Sequence, residues 1–301
     1  MSAPPDRVSG DALAPGELAA RRARIQRRAA ASASAAAPNA APQTHSLRLP
    51  NLQVIEYTAP ASFHLPRVLA SDGLKGYEVH SIAAALALVE MSTGAFFDVG
   101  ANIGVFALSV ASALQRRCYA FEPFPDARAV LEDIVLRYSF PVSVRPEAMS
   151  EAEGQSQFFL SMRSDMSNSL DPDFRQHRGV LDVSLTTIDK AARNDVPGVI
   201  KIDTERAEVA VIKGSLNTLK AHSPALIIEV LEPNIGIELL DLLVPLGYLA
   251  YEISGAPTFS RVSQNNPPAT SADRNWVFSR APLDKEFMNL LNKWRGLLCA
   301  L

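Results

Sequence analysis

One stretch limits the folds open to this chain: Phe96-Phe97-Asp98-Val99-Gly100-Ala101-Asn102-Ile103-Gly104. An apolar run ends in an acid, a turn with two glycines follows, and an apolar helix is expected from Val105. This strand–loop–helix order opens a nucleotide-binding α/β unit, in which backbone N–H groups and a helix N-terminus face the ligand. Gly100 and Gly104 let the backbone turn sharply and approach that ligand with no Cβ in the way. Asp98, Gly100, Ala101, Asn102 and Gly104 are therefore candidate binding residues. The glycine pattern of a dinucleotide site is not met, because Asn102 and Val105 stand where it needs glycine. That disfavours an NAD-dependent dehydrogenase.

An acid two residues before the first glycine suits a cationic ligand better than a pyrophosphate. S-adenosylmethionine (SAM), with an ammonium, a sulfonium and a carboxylate, fits this requirement. A second mark follows at Phe121-Glu122-Pro123, where Cys118–Phe121 reads as the next strand and Glu122 stands at its C-terminal end. A carboxylate there can accept both hydroxyl protons of an adenosine ribose. Taken singly, Asp98 reads equally as a helix cap and Glu122 as a solvated loop acid. Two strand-end acids around one glycine turn make the binding reading the stronger one.

Residues 1–47 are rich in Ala, Pro, Ser and Arg with almost no large apolar side chains, so they are expected to be a disordered tail. Glu17–Arg28 could form a basic helix, although its apolar side is mostly alanine. Asp6, Asp11 and Glu17 count against a transit peptide. Residues 48–92 read as a strand and helix extension, 93–280 as the main domain and 281–301 as a C-terminal helix. The extension is expected to hold an edge strand over Leu47–Tyr57, a break at Pro60 and Pro66, and a helix Tyr77–Met91. Glu78, at the start of that helix, is a candidate cleft residue, since a helix just before the nucleotide strand borders the ligand. Acids also favour helix N-termini for their own sake.

Beyond Glu122 the pattern gives a helix Asp126–Tyr138 and a short strand Val142–Val144. Glu147 and Ala148 follow at a strand end, where adenine would be read by the Glu147 side chain or the backbone around Ala148. Strands over Gln155–Leu160 and Val180–Leu185 flank a polar insert whose Arg163, Asp165 and Asn168 are candidate substrate contacts. The strand Val199–Ile202 ends in Asp203 and Glu205, and a helix Arg206–Lys220 follows. The strand Ala225–Val230 is apolar on both faces, which marks it as central, and carries Glu229 near its end. Asp203, Glu205 and Glu229 thus converge on one rim, where carboxylates can serve as a general base or hold a divalent metal. No fixed coordination spacing supports a metal, so none is assigned. Helix Asn234–Pro245, strands Tyr248–Ile253 and Asn275–Phe278, a polar loop between Gly255 and Arg274, and an amphipathic helix Glu286–Leu298 complete the chain. The last helix can pack on the domain or on a second copy, as in a homodimer.

Lys and Arg total 29 against 32 Asp and Glu, and the basic residues form no groove-like pattern, so nucleic-acid binding has no compositional support. No apolar run approaches a membrane span. The two cysteines, Cys118 and Cys299, lie far apart, which argues against a disulfide or metal site and points to a reducing, cytoplasmic setting.

Taken together, the motifs resemble those of the FkbM-type SAM-dependent methyltransferases. The matching stretches are Phe97–Gly104, Phe121-Glu122-Pro123, Glu147–Ser150, Leu185–Asp189, Ile200–Glu208 with Lys213-Gly214, and Pro224–Glu229. The resemblance implies a Rossmann-like class I methyltransferase fold: a mostly parallel seven-stranded sheet with an antiparallel closing strand and helices on both faces. It also implies SAM as methyl donor and a hydroxyl acceptor on a small molecule, a sugar or other glycan, or a polyketide. Carried over, Asp98, Gly100 and Asn102 would lie along the methionine part of SAM. Glu122 would bind the ribose, and Asp203 would stand beside the transferred methyl. Arg206 stands where the family usually has Gly, and would bring a large cation into the cleft, there to pair with Glu205 or Glu208 or to select an acidic acceptor. Glu147 stands where Asn is frequent. The alternatives are N-methylation and a non-catalytic SAM- or nucleotide-binding module in which Arg206 has spoiled the cleft.

Overall fold

The computed structural model describes residues 41–253, 260–262 and 274–301. The expected basic helix Glu17–Arg28 and most of the loop between Gly255 and Arg274 lie outside the described residues, as does the tail up to residue 40. Its remaining residues are ordered from Gln43 on, because the chain opens with an antiparallel hairpin of β1 (Gln43–Arg48) and β2 (Val54–Ala59). Where one edge strand was expected over Leu47–Tyr57 there are therefore two, turning at Leu52. Pro66 does not break the chain but sits in the first turn of α1 (Leu65–Asp72), where a missing N–H leaves no helical bond unmade.

Next come α2 (Val79–Glu90), β3 (Ala95–Val99), α3 (Val105–Leu114), β4 (Cys118–Phe121), α4 (Pro125–Tyr138) and β5 (Val142–Arg145). A small sheet follows, built from β6 (Ala148–Met149), β7 (Gly154–Ser161) and β8 (His177–Thr186). The main fold resumes with α5 (Ile188–Ala191), β9 (Pro197–Ile202), α6 (Glu208–Lys213), α7 (Leu216–His222), β10 (Ala225–Glu229) and α8 (Pro233–Leu243). It closes with β11 (Leu249–Glu252), β12 (Ser260–Val262), β13 (Asn275–Ser279) and α9 (Lys285–Ala300). The helix expected over Arg206–Lys220 is thus two helices. The chain restarts at Ser215 because the Asp189 carboxylate accepts the backbone N–H groups of Asn217 and Thr218 in the first turn of α7.

The main sheet runs β12-β11-β13-β10-β9-β3-β4-β5. Its seven inner members are the expected seven strands, parallel from β10 to β5, with β13 antiparallel between β10 and β11. The short β12 is an eighth, at the edge beyond β11, in the stretch read as loop. Two apolar cores lie on the two faces of this sheet. One gathers α2, α3, α4 and α9; the other gathers α6, α7 and α8. Residues Ser81–Val89 of α2 are all buried, and Ala83, Ala84, Ala85 and Ala87 let it approach its neighbours closely. The amphipathic α9 covers α2 with Phe287, Leu291, Trp294 and Leu298. The Trp294 indole N–H donates to Glu90 at 2.7 Å, which fixes this helix on its own chain. In an open parallel sheet the C-terminal strand ends frame the ligand crevice, and here β3, β4, β9 and β10 bring their ends to one cleft of about 890 Å³, mouth included.

Candidate functional site

The β3–α3 turn supplies one wall. Gly100 (φ 77°) and Ala101 both donate their N–H groups to the Phe121 carbonyl, at 3.0 and 3.1 Å, so the turn is tied to the end of β4. A Cβ on Gly100 would stand 1.8 Å from the Asp203 carbonyl oxygen, so the close approach that demands glycine is to β9. Gly104 (φ 83°) faces Leu131 of α4 and does not line the cleft. The two glycines thus serve the chain's own crowding rather than the ligand's. Asp98 also lies outside the cleft. It is fully buried under the turn, where its Oδ2 accepts the Ala107 N–H at 3.0 Å, and burial raises its pKa against the pull of Lys201. Gly100, Ala101 and Asn102 do line the cleft.

Glu122 stands at the end of β4 with 6% of its surface exposed. Oε2 accepts the Asn102 N–H and Oε1 the Phe124 N–H, both at 2.7 Å. Each oxygen keeps a second lone pair for a ligand hydroxyl. Burial raises the group to about 7 in spite of those two N–H groups. Pro123 and Ala148 line the cleft beside it, with Phe121, Met149 and Phe158 adding apolar surface. Glu147 does not line the cleft, because its side chain turns to Arg145 at 3.6 Å.

The ends of β9 and β10 bring together the acids. Asp203, Glu205 and Glu229 line the cleft, as does Glu78. One oxygen from each of Asp203, Glu205 and Glu229 lies within 4.8 Å of the other two, so a hard divalent cation would find three oxygen ligands there. Burial, and then the Asp203 charge, raise Glu205 to about 8 and Glu229 to about 11; Glu78 reaches about 7 for the same reasons, opposed by Lys201. Among the described residues, Glu205 and Glu229 each keep one buried oxygen without a hydrogen-bond partner. Into this group reaches Lys201, almost fully buried. Its Nζ donates to Asp203 Oδ2 at 2.9 Å and lies 4.9 Å from the Phe106 ring centre. Three acids, Asp203 first, hold its pKa above the ordinary lysine value despite burial. Lys201 falls inside the matching stretch Ile200–Glu208, and the sequence reading assigns it no role. A lone lysine inside the apolar run Val199–Ile202 was the available signal, since only a paired charge survives there.

The polar insert folds over the cleft. Asp165, Met166, Asn168 and Leu170 line it, whereas Arg163 does not. The Asp165 carbonyl accepts Asn102 Nδ2 at 3.2 Å, and Ser169 Oγ donates to the Glu205 carbonyl. Tyr77 also lines the cleft, beside Glu78. Arg206 does not enter it, nor does it pair with Glu205 or Glu208. Its guanidinium bridges Asp171 at 3.1 Å and Glu232, over the Phe174 ring. Its backbone holds φ 85°, after Glu205 at 55°, so the left-handed geometry that glycine would ease is kept by an arginine. The buried Glu208 carboxylate fastens this turn through the N–H groups of Thr204 (2.9 Å) and Arg206 (3.3 Å).

A profile of the methyltransferase FkbM domain matches residues 98–250. No curated protein matches the sequence. Among solved structures, methyltransferase FkbM from Methylobacillus flagellatus KT is 19% identical with a TM-score of 0.43, covering 62% of this chain and 43% of that one. The matched part is thus less than half of the Methylobacillus protein. A SAM-dependent O-methyltransferase from Thermotoga maritima is 12% identical (TM-score 0.39), covering 69% of this chain and 68% of that one. An O-methyltransferase from Bacillus cereus, in complex with SAH, is 11% identical (TM-score 0.36), covering 90% and 93%. No described helix is long and apolar enough to cross a membrane.

Proposed function

Since the chain belongs to the FkbM methyltransferase family and has its Rossmann-like class I fold, we propose that it carries a methyl group from SAM to a hydroxyl oxygen of a small-molecule, sugar or polyketide-type acceptor. The observation that carries this reading is Asp203: it lines the cleft, is fixed by Lys201, and shares that cleft with Glu122.

Bound SAM supplies an electrophilic methyl on a positively charged sulfur. The chain's own work is then to bind, orient and take a proton. Glu122 has two lone pairs for the ribose hydroxyls, and the Gly100–Asn102 turn brings main-chain groups to the cleft. The surrounding carboxylates favour a cationic ligand over an anionic one. As the acceptor oxygen bonds to carbon and the C–S pair returns to sulfur, Asp203 receives the hydroxyl proton. Lys201 holds that carboxylate in place. Glu205 and Glu229, raised by burial, accept the acceptor's remaining hydroxyls or share the released proton. Asp203, Glu205 and Glu229 are the residues that would hold a divalent cation, whose chemistry there would be to acidify the acceptor hydroxyl.

N-methylation differs only in the acceptor atom. The non-catalytic alternative rested on Arg206 filling the cleft, and the side chain lies elsewhere. Calorimetry with SAM, followed by SAH release with hydroxylated and amine acceptors, tests the reading. Binding near micromolar, weakened about 10–100-fold in Glu122→Ala, supports it. A folded chain that does not bind SAM overturns it, and binding with turnover on amines alone replaces O- with N-methylation.

A further inference from the structure

A second cavity, of about 730 Å³ with its mouth, lies behind the acid cluster, and Glu78 and Glu229 line both it and the main cleft. Its other lining includes Lys75, His80, Arg274 and Asn275. Resting on the methyl-transfer reading above, we propose that this second cavity receives the acceptor, and that the acceptor is a hydroxylated molecule carrying an anionic group such as a phosphate or carboxylate.

Three observations support this assignment. The first is connection: a molecule seated here meets the cofactor cleft at Glu78 and Glu229, where the raised carboxyls stand next to Asp203. The second is an unmet hydrogen bond. Asn275 is 5% exposed and donates its amide N–H to Glu78 at 3.1 Å, yet its Oδ1 is buried with no partner among the described residues. A buried acceptor left open costs about 1–3 kcal/mol, so the Asn275 oxygen asks for a donor, beside a Glu229 carboxyl that burial and Asp203 keep protonated. An incoming hydroxyl group supplies one. The third is charge. Lys75 and Arg274 are exposed and form no ion pair among the described residues. The main cleft has one buried cation, already held by Asp203; this cavity has two with no ion pair among the described residues, although the Arg274 charge is also felt by Glu205. A hydroxyl end directed at Asn275 and Glu229 and an anionic end held by Lys75 and Arg274 match the cavity's buried polar wall and its exposed cations. Glu78 is held at φ 42°, a left-handed backbone uncommon outside glycine, and this places its carboxyl on the shared wall.

The test uses the full chain. SAM is first titrated by calorimetry, which judges the methyl-transfer reading alone. Inorganic phosphate is then titrated into the SAH-loaded protein, for the native chain and for the double variant Lys75→Gln/Arg274→Gln. Two exposed cations predict millimolar phosphate binding weakened about tenfold in the variant, with SAM affinity unchanged. In parallel, paired acceptors are compared: glucose with glucose 6-phosphate and glucuronate, and glycerol with glycerol 3-phosphate. Wherever one member of a pair is methylated, the charged member is expected to have the higher kcat/KM, and the variant to lose that preference through KM. If SAM binds but phosphate does not, or phosphate binds the variant equally well, the anionic assignment is overturned while the methyl-transfer reading stands. A neutral member preferred over its charged partner overturns it too. If SAM itself does not bind, the methyl-transfer reading falls first.

Discussion

At the β4 end of the cleft both oxygens of Glu122 accept a backbone N–H, whereas at the β10 end Glu205 and Glu229 each keep a buried oxygen with no partner. Both ends pay for burying carboxylates, but only the first has offset that cost with its own main chain. Left-handed backbone occurs at both ends, at Asn102 (φ 51°) in the β3–α3 turn as well as around the acids. Gln115, Ser139 and Ser223 adopt positive φ as ordinary helix caps. Glu78, Glu205 and Arg206, around the acid cluster, do so in the middle of the site. Buried oxygens without a partner collect at one end and fixed N–H groups at the other. That contrast fits the proposed reading, in which the β4 end holds the cofactor and the β10 end serves the acceptor.

The strongest way to break that division is Asp203→Asn, which keeps shape and a partner for Lys201 while removing the base. We expect kcat to fall about 10²–10⁴-fold with SAM affinity nearly unchanged, read from initial rates and calorimetry. A large loss of SAM affinity with normal kcat would reverse the two roles. Next is Glu122→Ala, expected to weaken SAM by about 10–100-fold and to leave kcat at saturating SAM close to native.

A pH series sharpens the comparison further. Glu78 and Glu122 are raised to about 7 and Glu205 to about 8. A carboxyl with a raised folded pKa binds its proton more tightly in the folded state. The stability it contributes is complete in acid, below the unfolded value, and is lost as pH climbs through 7 and 8. The ligand-free chain should therefore melt lower at about pH 8.5 than at about pH 5.5, by scanning calorimetry. Glu122→Gln should flatten part of that slope. SAM, a cation, should bind more tightly as the acids ionise. A melting temperature that rises across this range would contradict the burial argument. The smallest effect is expected from Arg206→Gly. Relief of the left-handed backbone and loss of two partly exposed ion pairs oppose each other, for a net change within about 1 kcal/mol. Activity should stay within about threefold, since about 0.6 kcal/mol is all such a surface pair moves. A large gain in turnover would restore the idea that Arg206 obstructs the site.

Much of this was legible in the sequence. The apolar run ending in Asp98, the glycine turn and the strand-end Glu122 located the crevice, because element order and strand ends are local properties of the chain. What the sequence could not provide was direction. Asp98 stands at a strand end, but register pairs it with Lys201 on β9, and cross-strand neighbours on one face interact. Asp98 is thereby drawn under the turn as a counter-charge and away from the ligand. The same missing register hid the importance of Lys201. Glu147 and Gly104 were placed by motif, yet their side chains or open faces turn to Arg145 and Leu131. The second cavity was wholly invisible, since Lys75, Glu78, Glu229 and Asn275 come from segments far apart in the chain.

The insert between β7 and β8 touches both ends of the cleft at once, on Asn102 through the Asp165 carbonyl and on Glu205 through Ser169. A short span pinned at two points behaves as a ruler. Displacement chemistry needs its reacting atoms about 3–3.5 Å apart, and this span sets the gap between the turn that lines the donor side and the acids that line the acceptor side. Lengthening it by a residue would remove no functional group and would still shift the two sides relative to each other, because the quantity it encodes is a distance.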